Sequence, residues 1–162
     1  MTAAEALRGL IARLQAAGVE EPARDARLLM ARALGVAADR LSLHLGDRVD
    51  AAALEPLAAA RAARQPMAQI LGERQFWGRA FEVTPATLDP RPDTEILVES
   101  ALSQPFFNLL DLGTGTGCIL ISLLLGMPMA QGLGTDVSPD ALAVAGRNVA
   151  RHGLGKRARL AQ

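Results

Sequence analysis

Along the first third of the chain, apolar residues recur at helical spacing and are separated by turn formers. Leu7, Leu10, Ile11 and Leu14 share one helical face. Thr2 with Glu5 three residues later forms a capping box that starts this helix, and Gly18 supplies the left-handed stop. A second helix is predicted from Pro22, a residue suited to a first turn, through Ala26, Leu29, Met30 and Ala33 to a stop at Gly35. Leu41, Leu43 and Leu45 form too short a run to separate helix from strand. Asp50 is placed to cap a third helix through Ala63, in which Pro56 predicts a kink or a later start.

The pattern changes at Gln65-Pro66. Around Trp77-Gly78 polar and apolar residues alternate, with Phe76, Phe81 and Val83 on the apolar positions, which predicts a β-hairpin. Asp89-Pro90-Arg91-Pro92 forbids helix. Asp93 or Thr94 can then cap a helix from Glu95 to Leu102. A buried-strand run from Phe106 to Leu112 leads into Gly113-Thr114-Gly115-Thr116-Gly117 and a hydrophobic helix from Cys118 to about Leu125. A weak, glycine-bearing strand ends at Asp136. Ser138-Pro139-Asp140 opens another helix with a cap, a first-turn proline and an acid near the positive end of the dipole. That helix carries Leu142, Ala145 and Val149 inward, and a further strand is expected from Arg157 to Ala161. Strand, helix, strand, helix, strand predicts a doubly wound α/β unit behind a helical front.

Composition narrows the function classes. Lysine and arginine number 17 against 17 aspartates and glutamates, and neither half of the chain departs far from balance, so net charge gives no sign of a nucleic-acid surface. Arg147, Arg151, Lys156, Arg157 and Arg159 form the nearest thing to a basic patch and read as a solvated helix end and turn. One cysteine, Cys118, excludes an internal disulfide and a paired-cysteine metal site; it reads as a small buried residue. His44 and His152 have no partner at ligand spacing and take surface or turn roles. The start carries Glu5 and Arg8 among its apolar residues, so it reads as neither a signal peptide nor a membrane span, and a cytoplasmic location is expected.

The glycine loop is informative because a strand precedes it and a helix follows. Glycines let the backbone turn tightly and approach a ligand closely, and the helix start presents free N–H groups. Asp136 falls at the end of the next strand, where a carboxylate accepts hydrogen bonds from both ribose hydroxyls of an adenosine. A dinucleotide fingerprint would place its third small residue at position 118, where this chain has Cys118; the glycine comes one place earlier, at Gly117. Asp-Leu-Gly-x-Gly-x-Gly instead resembles the first motif of the class I methyltransferases, which bind S-adenosylmethionine and have no pyrophosphate to cradle.

Four blocks together resemble the HemK/PrmC family of protein-(glutamine-N5) methyltransferases. They are Pro66 to Gly72, Phe76-Trp77-Gly78 with Phe81 and Val83, Pro90 to Glu99, and Leu110 to Gly117. The resemblance implies an α/β fold class in three parts. A helical substrate-recognition domain takes residues 1–72 and a β-hairpin linker residues 73–89. The N-terminal part of a Rossmann-like, S-adenosylmethionine-binding domain takes residues 90–162. It implies N5-methylation of the glutamine in the Gly-Gly-Gln loop of class-1 peptide-chain release factors, with no membrane and no direct nucleic-acid partner. Cofactor binding is implied for Gly113, Thr114, Gly115, Thr116, Gly117 and Asp136, with Thr94 near the methionine end and Arg91 as a ligand contact or a structural salt bridge. Asp89 departs from the family by replacing an apolar residue, which bears on local packing. No catalytic residue is assigned, because the family's Asn-Pro-Pro-Tyr motif is expected beyond Gln162, and residues 1–162 alone are expected to be inactive. Two rival readings are an amino-methyltransferase acting on adenine in nucleic acid, which the neutral charge and the helical front disfavour, and a non-catalytic protein-interaction module.

Overall fold

The computed structural model describes residues Met1–Gln162, which divide into two units, Met1–Leu71 and Gly72–Gln162. In the first unit, α1 (Ala3–Ala16) begins on the Thr2–Glu5 capping box, with both reciprocal bonds made. Helix α2 (Pro22–Leu34) has its proline in the first turn and ends on Gly35 at φ 68°. The Leu41 to Leu45 region resolves into a 3₁₀ helix, Ala38–His44, with Leu41 buried and Leu43 exposed. Helix α3 (Ala51–Ala62) starts at once on its Asp50 cap and runs through Pro56, so the later start does not occur. A short helix α4 (Met67–Leu71) follows, where the sequence pattern had given no element. Leu7, Leu10, Leu14, Leu29, Met30 and Leu41 form the core of this unit. Across it, Arg61 Nε donates to the buried Asp25 carboxylate at 2.7 Å, joining α3 to α2.

The second unit opens with the hairpin of β1 (Glu73–Phe76) and β2 (Arg79–Glu82), in register from Glu73 opposite Glu82 to Phe76 opposite Arg79. Both residues of its turn have positive φ, 49° at Trp77 and 67° at Gly78, the combination that a tight two-residue turn needs. The Trp77 N–H donates to Glu95 Oε1 at 2.7 Å. Helix α5 (Asp93–Leu102) begins two residues earlier than the pattern indicates, after Pro92, and neither Asp93 nor Thr94 acts as a side-chain cap.

Strands β3 (Asn108–Leu112), β4 (Gln131–Thr135) and β5 (Ala158–Ala161) form a parallel sheet in sequential order. The crossovers are α6 (Cys118–Gly126) and α7 (Pro139–Arg151). Strands added in one direction with right-handed crossovers put both helices on one face. Accordingly Gly132, Gly134 and Ala158 are buried while Leu110, Leu112 and Leu133 on the opposite face are exposed. The glycines of β4 are there for packing: a Cβ on Gly132 would stand 2.6 Å from Leu120 Cδ1. Phe76, Phe81, Val98, Leu120, Ile121 and Leu124 share the core of this unit. Arg157, read from sequence as solvated, is half-buried and donates through Nη1 to the carbonyls of Leu124, Met127 and Ala130 at 2.8–3.1 Å. It thus satisfies the end of α6, where a cation also meets the negative pole of the helix.

Candidate functional site

Strand β3 delivers Asp111 and Leu112 into the glycine loop, and β4 delivers Thr135 and Asp136 beside it. The loop is held by several hydrogen bonds. The Thr114 N–H donates to the Thr135 carbonyl at 2.8 Å, and the Gly117 N–H to the Thr114 carbonyl at 2.8 Å. The Thr114 hydroxyl donates to Asp111 Oδ2 at 2.7 Å, and Thr116 Oγ1 accepts the Cys118 N–H at 3.3 Å. Gly113, Gly115 and Gly117 all have positive φ, at 71°, 54° and 79°, a region that costs an L-residue roughly 1–2 kcal/mol. Gly113 and Gly117 then differ in surroundings. A Cβ on Gly113 would meet nothing within 4 Å, whereas one on Gly117 would stand 3.2 Å from Ile121 Cδ1 and 3.5 Å from Ala145 Cβ. The front of the loop is therefore open and its rear is packed against the helices.

Asp136 is fixed by backbone amides: Oδ2 accepts the Gly115 N–H at 2.9 Å and Oδ1 the Ser138 N–H at 3.0 Å. A carboxylate offers about four acceptor positions, so each oxygen keeps one free. Next to it Val137 is 90% exposed, an apolar side chain at the rim of the loop. Asp111, at the foot of the loop, opens the Asp-Leu-Gly motif but was not among the cofactor-binding residues expected from sequence. Burial pushes its carboxyl above the ordinary aspartate value; the Thr114 hydroxyl and a backbone amide pull the other way, and the charge of Asp136 adds to the rise. Two carboxylates flanking one open loop make a site suited to a cation that also carries hydroxyl donors.

The remaining sequence candidates fall elsewhere or take structural roles. Thr94 lies partly buried in the first turn of α5, and Arg91 is exposed and enters no ion pair, so the salt-bridge alternative is not realised. Cys118 is buried, and desolvation raises its thiol pKa. His152 is half-buried against Phe81, ring centroids 4.9 Å apart, with Nε2 3.1 Å from the Ala80 carbonyl. His44, the last residue of the 3₁₀ helix, pairs with the exposed Asp47 three residues on. No three His, Cys, Asp or Glu side chains gather at metal-binding range, and no helix is long and apolar enough to cross a membrane. Asn148, also missed, is fully buried and touches the loop through the Thr116 carbonyl. The asparagine stands on the helical face already assigned inward, four residues before His152 and three after Ala145, and a polar residue there was the available signal.

Comparison with known proteins bears on this arrangement. Residues 5–72 match the PrmC N-terminal domain. Over 99% of its length the chain is 56% identical to the release factor glutamine methyltransferase of Cereibacter sphaeroides, covering 59% of that protein. The chain resembles the PrmC family, its residues 5–72 through that domain and almost its whole length through this methyltransferase. The release factor glutamine methyltransferase of Rhodospirillum rubrum is 48% identical over 90% of the chain, and that of Vibrio cholerae 42% identical over 93%; the chain covers 47% and 55% of these relatives. It thus spans about half the length of the curated PrmC-family relatives it matches.

Proposed function

We propose that the protein carrying this chain binds S-adenosylmethionine at the glycine loop and methylates the side-chain amide of a release-factor glutamine. The observation that carries the cofactor half is the joint placement of the open glycine loop and Asp136 on adjacent parallel strands, with Gly115 bonded to the Asp136 carboxylate. The residues present fit the group. The space above Gly113, which any side chain would fill, admits a ligand against the backbone. Asp136 retains acceptors for ribose hydroxyls, and Val137 offers an apolar contact for a base. Asp111 supplies negative charge, made costly by burial, that a cationic sulfonium or ammonium would compensate. When bound, this cofactor supplies an electrophilic methyl group. The residues described here bind and orient it.

The substrate half rests on the names of the relatives, all release factor glutamine methyltransferases, and on the family blocks from Pro66 to Gly117. They support the glutamine of a Gly-Gly-Gln loop as methyl acceptor, class-1 release factors as partners, and a cytoplasmic setting where translation terminates. Amide methylation calls for a carbonyl and a side chain that grip the planar amide, so that catalysis is chiefly positioning and desolvation. The test is incubation of the full protein with labelled S-adenosylmethionine and a release factor. One methyl group on the loop glutamine, located by mass spectrometry, is the expected result. Label that appears on adenine of an added nucleic acid instead, or no transfer to the release factor, overturns the proposal.

A further inference from the structure

One side of α7 is given over to the hairpin. Arg147 Nη2 lies 2.8 Å from Glu82 Oε1, and Arg151 Nη2 lies 2.7 Å from Glu73 Oε2. Among these exposed pairs sits Asn148, with no exposed surface at all. Its Oδ1 accepts the Glu82 N–H at 2.8 Å, and its Nδ2 donates to the Glu82 carbonyl at 3.1 Å and to the Thr116 carbonyl at 2.9 Å. The side-chain amide therefore pairs with both backbone groups of Glu82, as a neighbouring strand would, and spends its second N–H on the glycine loop. The amide orientation is unambiguous, since one face meets an N–H and the other two carbonyls.

The Thr116–Gly117 peptide is held from both sides: its carbonyl by Asn148, and its N–H by the Thr114 carbonyl. Nothing else bonded to the Thr116 carbonyl reaches the hairpin. We infer that Asn148 is a positioning residue that ties the hairpin to the cofactor loop, so that the loop's ligand-ready conformation and the docking of β2 onto α7 form and are lost together. The link to a ligand rests on the cofactor reading above; the tie itself does not. A buried amide that satisfies three backbone groups is costly to remove, because each orphaned group keeps its desolvation penalty. Deleting it should therefore release two elements at once.

Native-state hydrogen exchange on the unsubstituted full protein tests the tie without any ligand. The amides of Glu82 and Gly117 are expected to exchange through one shared opening, with matching dependence on low denaturant; independent openings overturn the inference. Asn148→Ala should speed exchange at both positions. The double variant Arg147→Ala/Arg151→Ala, which strips only the exposed ion pairs, should speed exchange at Glu82 and Gly117 by the same small factor, under about threefold; faster exchange at Glu82 with none at Gly117 overturns the tie. Calorimetry with S-adenosylhomocysteine adds a readout that mere loss of stability does not move. Asn148→Ala should raise Kd by about tenfold, against less than about twofold for Val149→Ala chosen to match its loss of Tm. Equal weakening by the two variants overturns the positioning role. Absence of S-adenosylhomocysteine binding to the parent protein overturns the cofactor reading, while the exchange experiment still decides the tie.

Discussion

Asp136→Ala removes two things at once. In the ligand-free protein its carboxylate accepts the Gly115 and Ser138 amides at 2.9 and 3.0 Å, so the alanine variant leaves two donors without their partner and frees the loop. In the bound protein it would also lose the ribose hydroxyl bonds, each roughly 1.5–3 kcal/mol with a charged acceptor. The site is only partly buried, so water recovers part of both losses. A net weakening of at least about 1.4 kcal/mol, or tenfold in Kd, is a conservative expectation. Asp136→Asn keeps one carbonyl-type acceptor and should fall between the parent and alanine. Isothermal titration with S-adenosylhomocysteine on the full protein reads the difference, with circular dichroism to confirm folding. A folded alanine variant that binds within twofold of the parent would refute the role given to this carboxylate.

Other expectations concern neighbouring groups. Burial raises the folded pKa of Asp111 above its unfolded value; a group shifted this way favours folding fully below the unfolded pKa, and the contribution is lost as pH rises through the folded one. Asp111→Asn should therefore raise Tm at pH 7 more than at pH 4 while weakening ligand binding, and a lowered Tm at pH 7 would contradict the assignment. At Asp89, burial raises the carboxyl pKa against the opposing charges of Arg74 and Arg91, and Oδ1 is buried without a hydrogen-bond partner. Asp89→Leu, which restores an apolar side chain, should stabilise by about 1–2 kcal/mol in a urea melt at pH 7; destabilisation would show that the carboxylate is satisfied in solution. Gly134→Ala would put a methyl 2.9 Å from Thr114 Oγ1 and 3.0 Å from Leu120 Cδ2, so a loss of about 1–3 kcal/mol is expected together with weaker ligand binding. Parental stability and affinity would mean that the loop yields more readily than its bonding implies.

Local chemistry explains which elements could be read in advance. Capping box, first-turn prolines and left-handed glycines are interactions within a few residues, and they set the ends of α1, α2 and α7. The positive φ values at Trp77 and Gly78 belong to a turn that alternation alone located. Where a distant partner decides, sequence pattern was silent or misleading. Arg157 looked solvated because the three carbonyls it binds lie about 30 residues earlier in the chain. The glycines of β4 weakened a strand reading, although they record how closely α6 and the loop approach that strand. Helix α5 takes Pro92 as its first flank without a side-chain cap, and its Glu95 serves the hairpin turn instead. Within the site, the glycine spacing and Asp136 were legible because motif and topology coincide. Asp111 was visible only as the first residue of the motif, since burial gives its carboxyl its character, and Asn148 was not legible at all, since a bond spanning 32 residues gives it its role.

The central claim is that the open loop and Asp136 form a nucleoside site for a cationic methyl donor and not a dinucleotide site. Parallel NMR titrations of the full protein with S-adenosylhomocysteine and with NAD address it residue by residue. Saturable shifts at the amides of Gly113, Gly115 and Val137 with S-adenosylhomocysteine, and none with NAD at micromolar concentrations, are the predicted result. Saturable NAD shifts at those amides, or S-adenosylhomocysteine shifts confined to other parts of the protein, would contradict the claim.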